Sequence, residues 1–228
     1  CTSNYILTGI FSSNGLTVNC PLDLATFGVS VTGNATIQNS GKLTMIQTTP
    51  TSPAFTASGN VTFQGASEVG LMSSGGVSVG GNLTMASATA YAPSGTHLTT
   101  FTTAGAHVLA LGGGITAAFQ DFILLPGVGL TLTSPNAFNI SIAGVFTQGG
   151  TLTIPGTASI TTNGTTSLRG TTTVNGTLNL AAANAQFAAG SITTGGTGLL
   201  TVTTPCIKFS TAQVNVAGNT APGCTVVP

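Results

Sequence analysis

The chain has 228 residues, of which 41% are hydrophobic and only 3% charged, with a formal net charge of zero. Soluble domains usually carry about 25% charged residues; the six here, Asp23, Lys42, Glu68, Asp121, Arg169 and Lys208, form no basic patch in the sequence. That composition excludes a phosphate-backbone binder, and it excludes disorder, which goes with low hydrophobicity and high net charge.

Residues 1–27 fit no repeat and read as an N-terminal cap or docking segment. Four cysteines stand in two pairs near the ends, Cys1 with Cys20 and Cys206 with Cys224. Of the three possible pairings, Cys1–Cys20 plus Cys206–Cys224 is the simplest. Each bridge would close a loop worth about 3 kcal/mol in the chain-entropy model. An even number at the ends without metal-ligand spacing points to an oxidising, extracellular setting. The other readings are four buried thiols, or lipidation of Cys1 in a bacterial setting. A secreted form would have lost its leader before Cys1.

Residues 28–204 are repetitive. The segment Gly28-Val29-Ser30-Val31-Thr32-Gly33-Asn34-Ala35-Thr36-Ile37 recurs as Gly76-Val77-Ser78-Val79-Gly80-Gly81-Asn82-Leu83-Thr84-Met85, with echoes at Gly59-Asn60-Val61-Thr62-Phe63 and Val174-Asn175-Gly176-Thr177-Leu178. Alternation of apolar and polar residues predicts short strands with one face buried, Leu83 and Met85 inward, Asn82 and Thr84 outward. Thr and Val favour strands, and Gly and Asn permit tight corners. Three strands and three corners make a coil of roughly 17 to 24 residues, so the long repeat spans two or three coils. About ten to twelve coils give a rod on the order of 50 Å long.

Within the repeat, Ala104 to Leu130 is the most apolar stretch. It reads as a pair of fully buried strands, with a covering flap or a subunit contact as alternatives. Gly112-Gly113-Gly114, Gln120-Asp121 and Pro126 interrupt it, so no membrane-spanning helix is expected. From Gly150 to Val202 the pattern is densest, in units such as Thr151-Leu152-Thr153-Ile154 and Thr177-Leu178-Asn179-Leu180. T-x-T triplets occur at Thr131, Thr151, Thr171 and Thr201. Residues 205–228 read as a C-terminal cap or docking segment.

The G-x-L-x-I and N-G-x-L-x-L units between Gly150 and Thr204 resemble parallel β-helices of the filamentous-haemagglutinin and pectate-lyase-like type. The resemblance implies an all-β fold, a right-handed parallel β-helix or β-solenoid. It departs from the lyases in lacking their acidic and basic active-site residues, and from calcium-binding solenoids in lacking G-G-x-G-x-D. An antiparallel β-sandwich is the competing fold.

Candidate chemistry is sparse. Asp23, Glu68 and Asp121 fall on different coils, too far apart for a carboxylate dyad. His97 or His107 could be drawn with Asp121 and a serine, but no G-x-S-x-G elbow supports a triad, and two histidines are too few for zinc. Asp121, His107 and Arg169 or Lys208 would have to meet in a cleft for a carbohydrate-active site. We therefore expect no enzyme and no cofactor. Six sequons, at Asn34, Asn60, Asn82, Asn139, Asn163 and Asn175, are glycosylation candidates, Asn163 and Asn175 the most accessible.

A solenoid leaves unpaired strand edges at its ends, and charged caps are missing from this sequence. The expected function is a secreted structural repeat protein that stacks head to tail into a filament, sheath, appendage or virion fibre, its partner being itself. The alternative is a surface adhesin or a glycan- or ice-binding module using its Thr-rich face.

Overall fold

Alternation of period two sets the structure. In Val29–Val31, Leu83–Met85 and Thr177–Leu180 the apolar residues are buried and the polar residues between them are turned outward. A computed structural model describes residues 1, 4–46, 54–113, 115–181, 185–187, 191–202, 207–209 and 214–215. Among these there is no helix, and every strand pairing is parallel.

The protein is a β-solenoid with three faces. The chain visits them in order, and each strand pairs with its counterparts one coil before and one coil after. The first face is a ten-stranded sheet running from Phe11–Ser13 to Ile207–Phe209, and the second a ten-stranded sheet from Leu16–Val18 to Val214–Asn215. The third face begins with Tyr5–Ile6, Pro21–Asp23 and Lys42–Thr44, and resumes as five strands from Thr116–Phe119 to Leu199–Val202. A β-sandwich is built of antiparallel strands, so the parallel ladders rule that alternative out. Val29 pairs with Phe55 and Phe55 with Val77, so the long sequence repeat spans two coils. Equivalent strand residues lie 17 to 26 positions apart, a range whose upper end passes what the sequence suggests.

The core is one continuous column. Phe55, Phe63, Tyr91, Phe101, Phe119 and Phe146 are among its largest buried side chains. Phe122 meets Phe119, Phe101 and Phe146 at centroid distances of 4.8, 5.9 and 6.0 Å, a range in which aromatic pairs attract beyond their area. The apolar stretch from Ala104 to Leu130 is this middle section. Its strands Gly105–Leu111, Thr116–Phe119 and Asp121–Leu124 are ordinary members of the three faces.

The Gly-Asn units stand at the corner between the first and second faces. There the Asn60 backbone N–H donates to Asn34 Oδ1, the Asn82 N–H to Asn60 Oδ1, and the Val108 N–H to Asn82 Oδ1, each at 2.8 Å. The asparagine side chain replaces a backbone acceptor where the chain turns and the sheet ladder lapses. The glycine before each asparagine lets the coils approach. A Cβ on Gly59 or Gly81 would lie 2.5 Å from the asparagine Oδ1 of the preceding coil.

At the start of the chain Cys1 and Cys20 are disulfide-bonded, as the spacing suggests. Cys206 and Cys224 lie outside the described residues. The bridge spans Tyr5–Ile6 and the strands after it, which are already in parallel register with the next coil.

Two substitutions test the corner. Asn60→Ala leaves the Asn82 N–H without its acceptor and should lower stability by about 1 kcal/mol. Gly81→Ala forces a methyl against Asn60 and the Gly59 backbone and should cost about 1–3 kcal/mol. Urea denaturation midpoints measure both.

Candidate functional site

The ionisable residues are best understood from where the third face fails. Between Lys42–Thr44 and Thr116–Phe119 its ladder shrinks to two isolated bridges, Met45 to Met72 and Met72 to Pro93. Residues 65–75 and 86–97 loop through these two coils, and polar side chains fill the space a strand would occupy. Glu68, Tyr91, His97 and Thr99 are fully buried there, and Ser74 nearly so.

Glu68 ties three coils together. Its Oε1 accepts the Leu43 N–H at 2.9 Å from the coil before, and its own N–H donates to the Thr89 carbonyl at 2.8 Å in the coil after. Its Oε2 has no hydrogen-bond partner. Burial pushes the carboxyl from its ordinary 4.5 up to about 8, outweighing the Leu43 hydrogen bond and the Lys42 charge that oppose it. Glu68 is therefore a neutral acid at neutral pH.

The other members form a chain. His97 Nδ1 lies 2.8 Å from the Ser74 carbonyl, Tyr91 Oη 3.3 Å from His97 Nε2, and Thr99 Oγ1 2.6 Å from Tyr91 Oη. A carbonyl only accepts, so Nδ1 carries the proton and Nε2 accepts from the tyrosine, which accepts from the threonine. Burial lowers the His97 pKa from 6.5 to about 4, against the opposite pulls of the Ser74 carbonyl and Asp121. Burial likewise raises the Tyr91 phenol.

The residues that could be drawn as a triad face other partners. His97 meets the carbonyl of Ser74, whose hydroxyl donates to the Met45 carbonyl at 3.2 Å. His107 Nε2 lies 2.7 Å from the Thr103 carbonyl. Asp121 Oδ1 accepts the Val145 N–H at 2.7 Å, and Arg169 Nε donates to Ser167 Oγ at 3.2 Å. Asp23 Oδ1 accepts the Ala25 N–H. The side chain of Lys208 lies outside those described. Among the described residues no three of His, Cys, Asp and Glu gather as metal ligands, and no helix is long and apolar enough to cross a membrane.

The six sequon asparagines divide by position. Asn34, Asn60 and Asn82 form the corner ladder. Asn139 stands exposed on a third-face strand, and Asn163 is exposed with its Nδ2 donating to Ser141 Oγ at 3.2 Å. Asn175 is half-buried, and a Cβ on Gly195 would meet its Oδ1.

A second candidate site is the first coil itself. The strands Tyr5–Ile6, Phe11–Ser13 and Leu16–Val18 each pair on one side only. Tyr5, Ile6, Ile10 and Phe11 are 61%, 62%, 81% and 37% exposed, four of the nine exposed large hydrophobics among the described residues. Tyr5, Ile6 and Phe11, with Leu7, Leu16, Val18 and Leu22, line a hollow of about 460 Å³. The sequence marked residues 1–27 as a cap or docking segment but not which of their side chains stand exposed, because the same residues would be core if another coil lay over them.

No known family, curated protein or solved structure matches the chain. Geometry is therefore the guide to its function.

The buried acid and the buried imidazole predict a pH profile. Folded Glu68 holds its proton to about pH 8, whereas the unfolded carboxyl loses it near 4.5, so stability falls as pH rises through that window. Folded His97 stays neutral to about pH 4, whereas the unfolded imidazole gains a proton near 6.5, so stability falls as pH drops through that window. Where the windows overlap, the two slopes of about 1.4 kcal/mol per pH unit cancel. Urea unfolding should be flat from pH 4.5 to 6.5 and lose about 2 kcal/mol by pH 8. Glu68→Gln should abolish the alkaline fall, and His97→Gln the acid one.

Proposed function

We propose that this chain is a structural subunit, without catalytic activity, that stacks head to tail into an extracellular filament, sheath, appendage or virion fibre. The first coil, whose strands pair on one side only among the described residues, carries the reading. It presents three strand edges, four large apolar side chains and a hollow, the chemistry of an unfinished core rather than of a wetted cap. The strands Ile207–Phe209 and Val214–Asn215 are the last described strands of the same two ladders, and stacking of copies would continue those ladders from one subunit to the next. Covering Tyr5, Ile6, Ile10 and Phe11 would contribute roughly 1.5–3 kcal/mol for each side chain fully buried. A contact between unlike ends that does not close on itself propagates as a fibre.

The Cys1–Cys20 bridge supports a setting outside the reducing cytosol, and it fastens the coil that would dock. Near-zero charge removes the repulsion that keeps copies apart. The likeness of Gly150 to Thr204 to filamentous-haemagglutinin-type β-helices points the same way, and glycans on Asn139 or Asn163 would stand clear of the stacking axis.

Electron microscopy and sedimentation of the purified chain test the proposal. Wild type should form rods that lengthen with concentration. Ile6→Lys with Ile10→Lys should stay short and monomeric, with the melting midpoint of dilute, unassembled wild type, since both positions are exposed in the monomer. A wild type that remains monodisperse and monomeric at every concentration overturns it.

A further inference from the structure

The T-x-T triplets are brought together on one face. On the second face Thr131, Thr153, Thr173 and Thr193 are in register over four successive strands. The same pairing stacks Thr151, Thr171 and Ser191 in a neighbouring column that begins at Gly129. All these side chains are exposed or half-buried, and Ser191 Oγ lies 3.4 Å from Thr171 Oγ1. Thr133 falls outside the double column, since Thr131 and not Thr133 aligns with Thr153. Thr201 belongs to the third face.

We propose that this array, Thr131 to Thr193 on the second face, binds ice. The columns are set by strand spacing and the two-residue strand repeat, giving a mesh of about 4.8 by 6.6 Å. Oxygen rows on a prism face of hexagonal ice repeat on a rectangular mesh of nearly that size. Each threonine offers a hydroxyl that can donate and accept and a methyl around which water orders. β-Branching holds the side chain to few rotamers, so the array is ordered before it meets a lattice. The adjoining corner is built largely of glycine: Gly105, Gly127, Gly129, Gly149, Gly150 and Gly170 line it together with Ala106, Val128, Thr151 and Thr171.

Other occupants fit less well. The strands Val128–Thr133, Thr151–Ile154, Thr171–Val174 and Ser191–Thr194 contain no charged and no aromatic residue. Sugars are usually gripped by aromatic stacking and carboxylates, and protein partners by large buried anchors. Nor do the other faces repeat the pattern. The first has a single hydroxyl column, Ser12, Ser30, Thr56, Ser78 and Thr100, broken at Ile123 and resuming at Thr147 and Ser167. The third mixes Asn139, Ser141, Asn179 and Leu199 into its columns. The array runs parallel to the rod axis, so ice binding requires no stacking of copies and is not blocked by it.

Nanolitre osmometry with crystal imaging on the full chain decides it. Wild type and Thr56→Tyr, a control on the first face, should facet ice crystals and separate freezing from melting. The double variant Thr153→Tyr, Thr173→Tyr should grow round, unshaped crystals with no such gap, at a melting midpoint equal to wild type. Round crystals from folded wild type overturn the proposal, as do faceted crystals from the double variant.

Discussion

A coil of this protein has no strand partner within itself; every ladder hydrogen bond it makes goes to the coil before it or the coil after. An unpaired buried N–H or carbonyl costs about as much as a lost hydrogen bond, so each coil must repeat the outline of its neighbours closely. The inward residues therefore form columns, in which large and small side chains alternate as well as match: Phe138 aligns with Ala158, and Phe146 with Thr166. The corner asparagines answer the same demand. Where the backbone turns and cannot offer its own carbonyl, Asn34, Asn60 and Asn82 supply a side-chain oxygen in its place. The glycines before them are small because a neighbouring coil occupies the space a side chain would need.

On the third face that demand goes unmet for two coils. They lack a proper strand there, and the deficit is made up by side chains: Glu68 to Leu43, His97 to Ser74, Tyr91 to Thr99. Dry surroundings keep these groups uncharged. A neutral acid and a neutral imidazole serve a neutral rod well at moderate pH, but each sets a limit on one side of the scale.

Much of the fold was legible in the sequence. Leu83 and Met85 announce an inward stripe, and the long Gly-Val-Ser-Val repeat announces stacked coils; short alternating strands also suit a β-sandwich, and only the parallel pairing decides between the two. Position on the coil was less legible. Thr171, Thr172 and Thr173 are identical in type, yet Thr172 is buried and its neighbours face outward; only register with Leu152 and Ile192 decides which. Asn34 and Asn139 both head sequons, but one is a corner rung and the other a strand residue. The buried group around Tyr91 could not be read at all. It depends on residues 65–75 and 86–97 crossing the core where the repeat breaks, and loops of that kind carry no periodic signal. Residues 1–27 were legible as a cap or docking segment, but not which of their side chains stand exposed, since Tyr5, Ile6 and Phe11 look like any other core residues.

The corner ladder also bears on how such a chain can change over generations. A single inserted residue in a strand would turn its inward side outward and break two interfaces at once. A duplicated whole coil presents the same outline above and below and disturbs neither neighbour. Gly59-Asn60 and Gly81-Asn82, one coil apart and held by the same contact, look like the product of that kind of copying. Rod length is then a quantity that heredity can adjust in whole coils, while the cross-section stays unchanged.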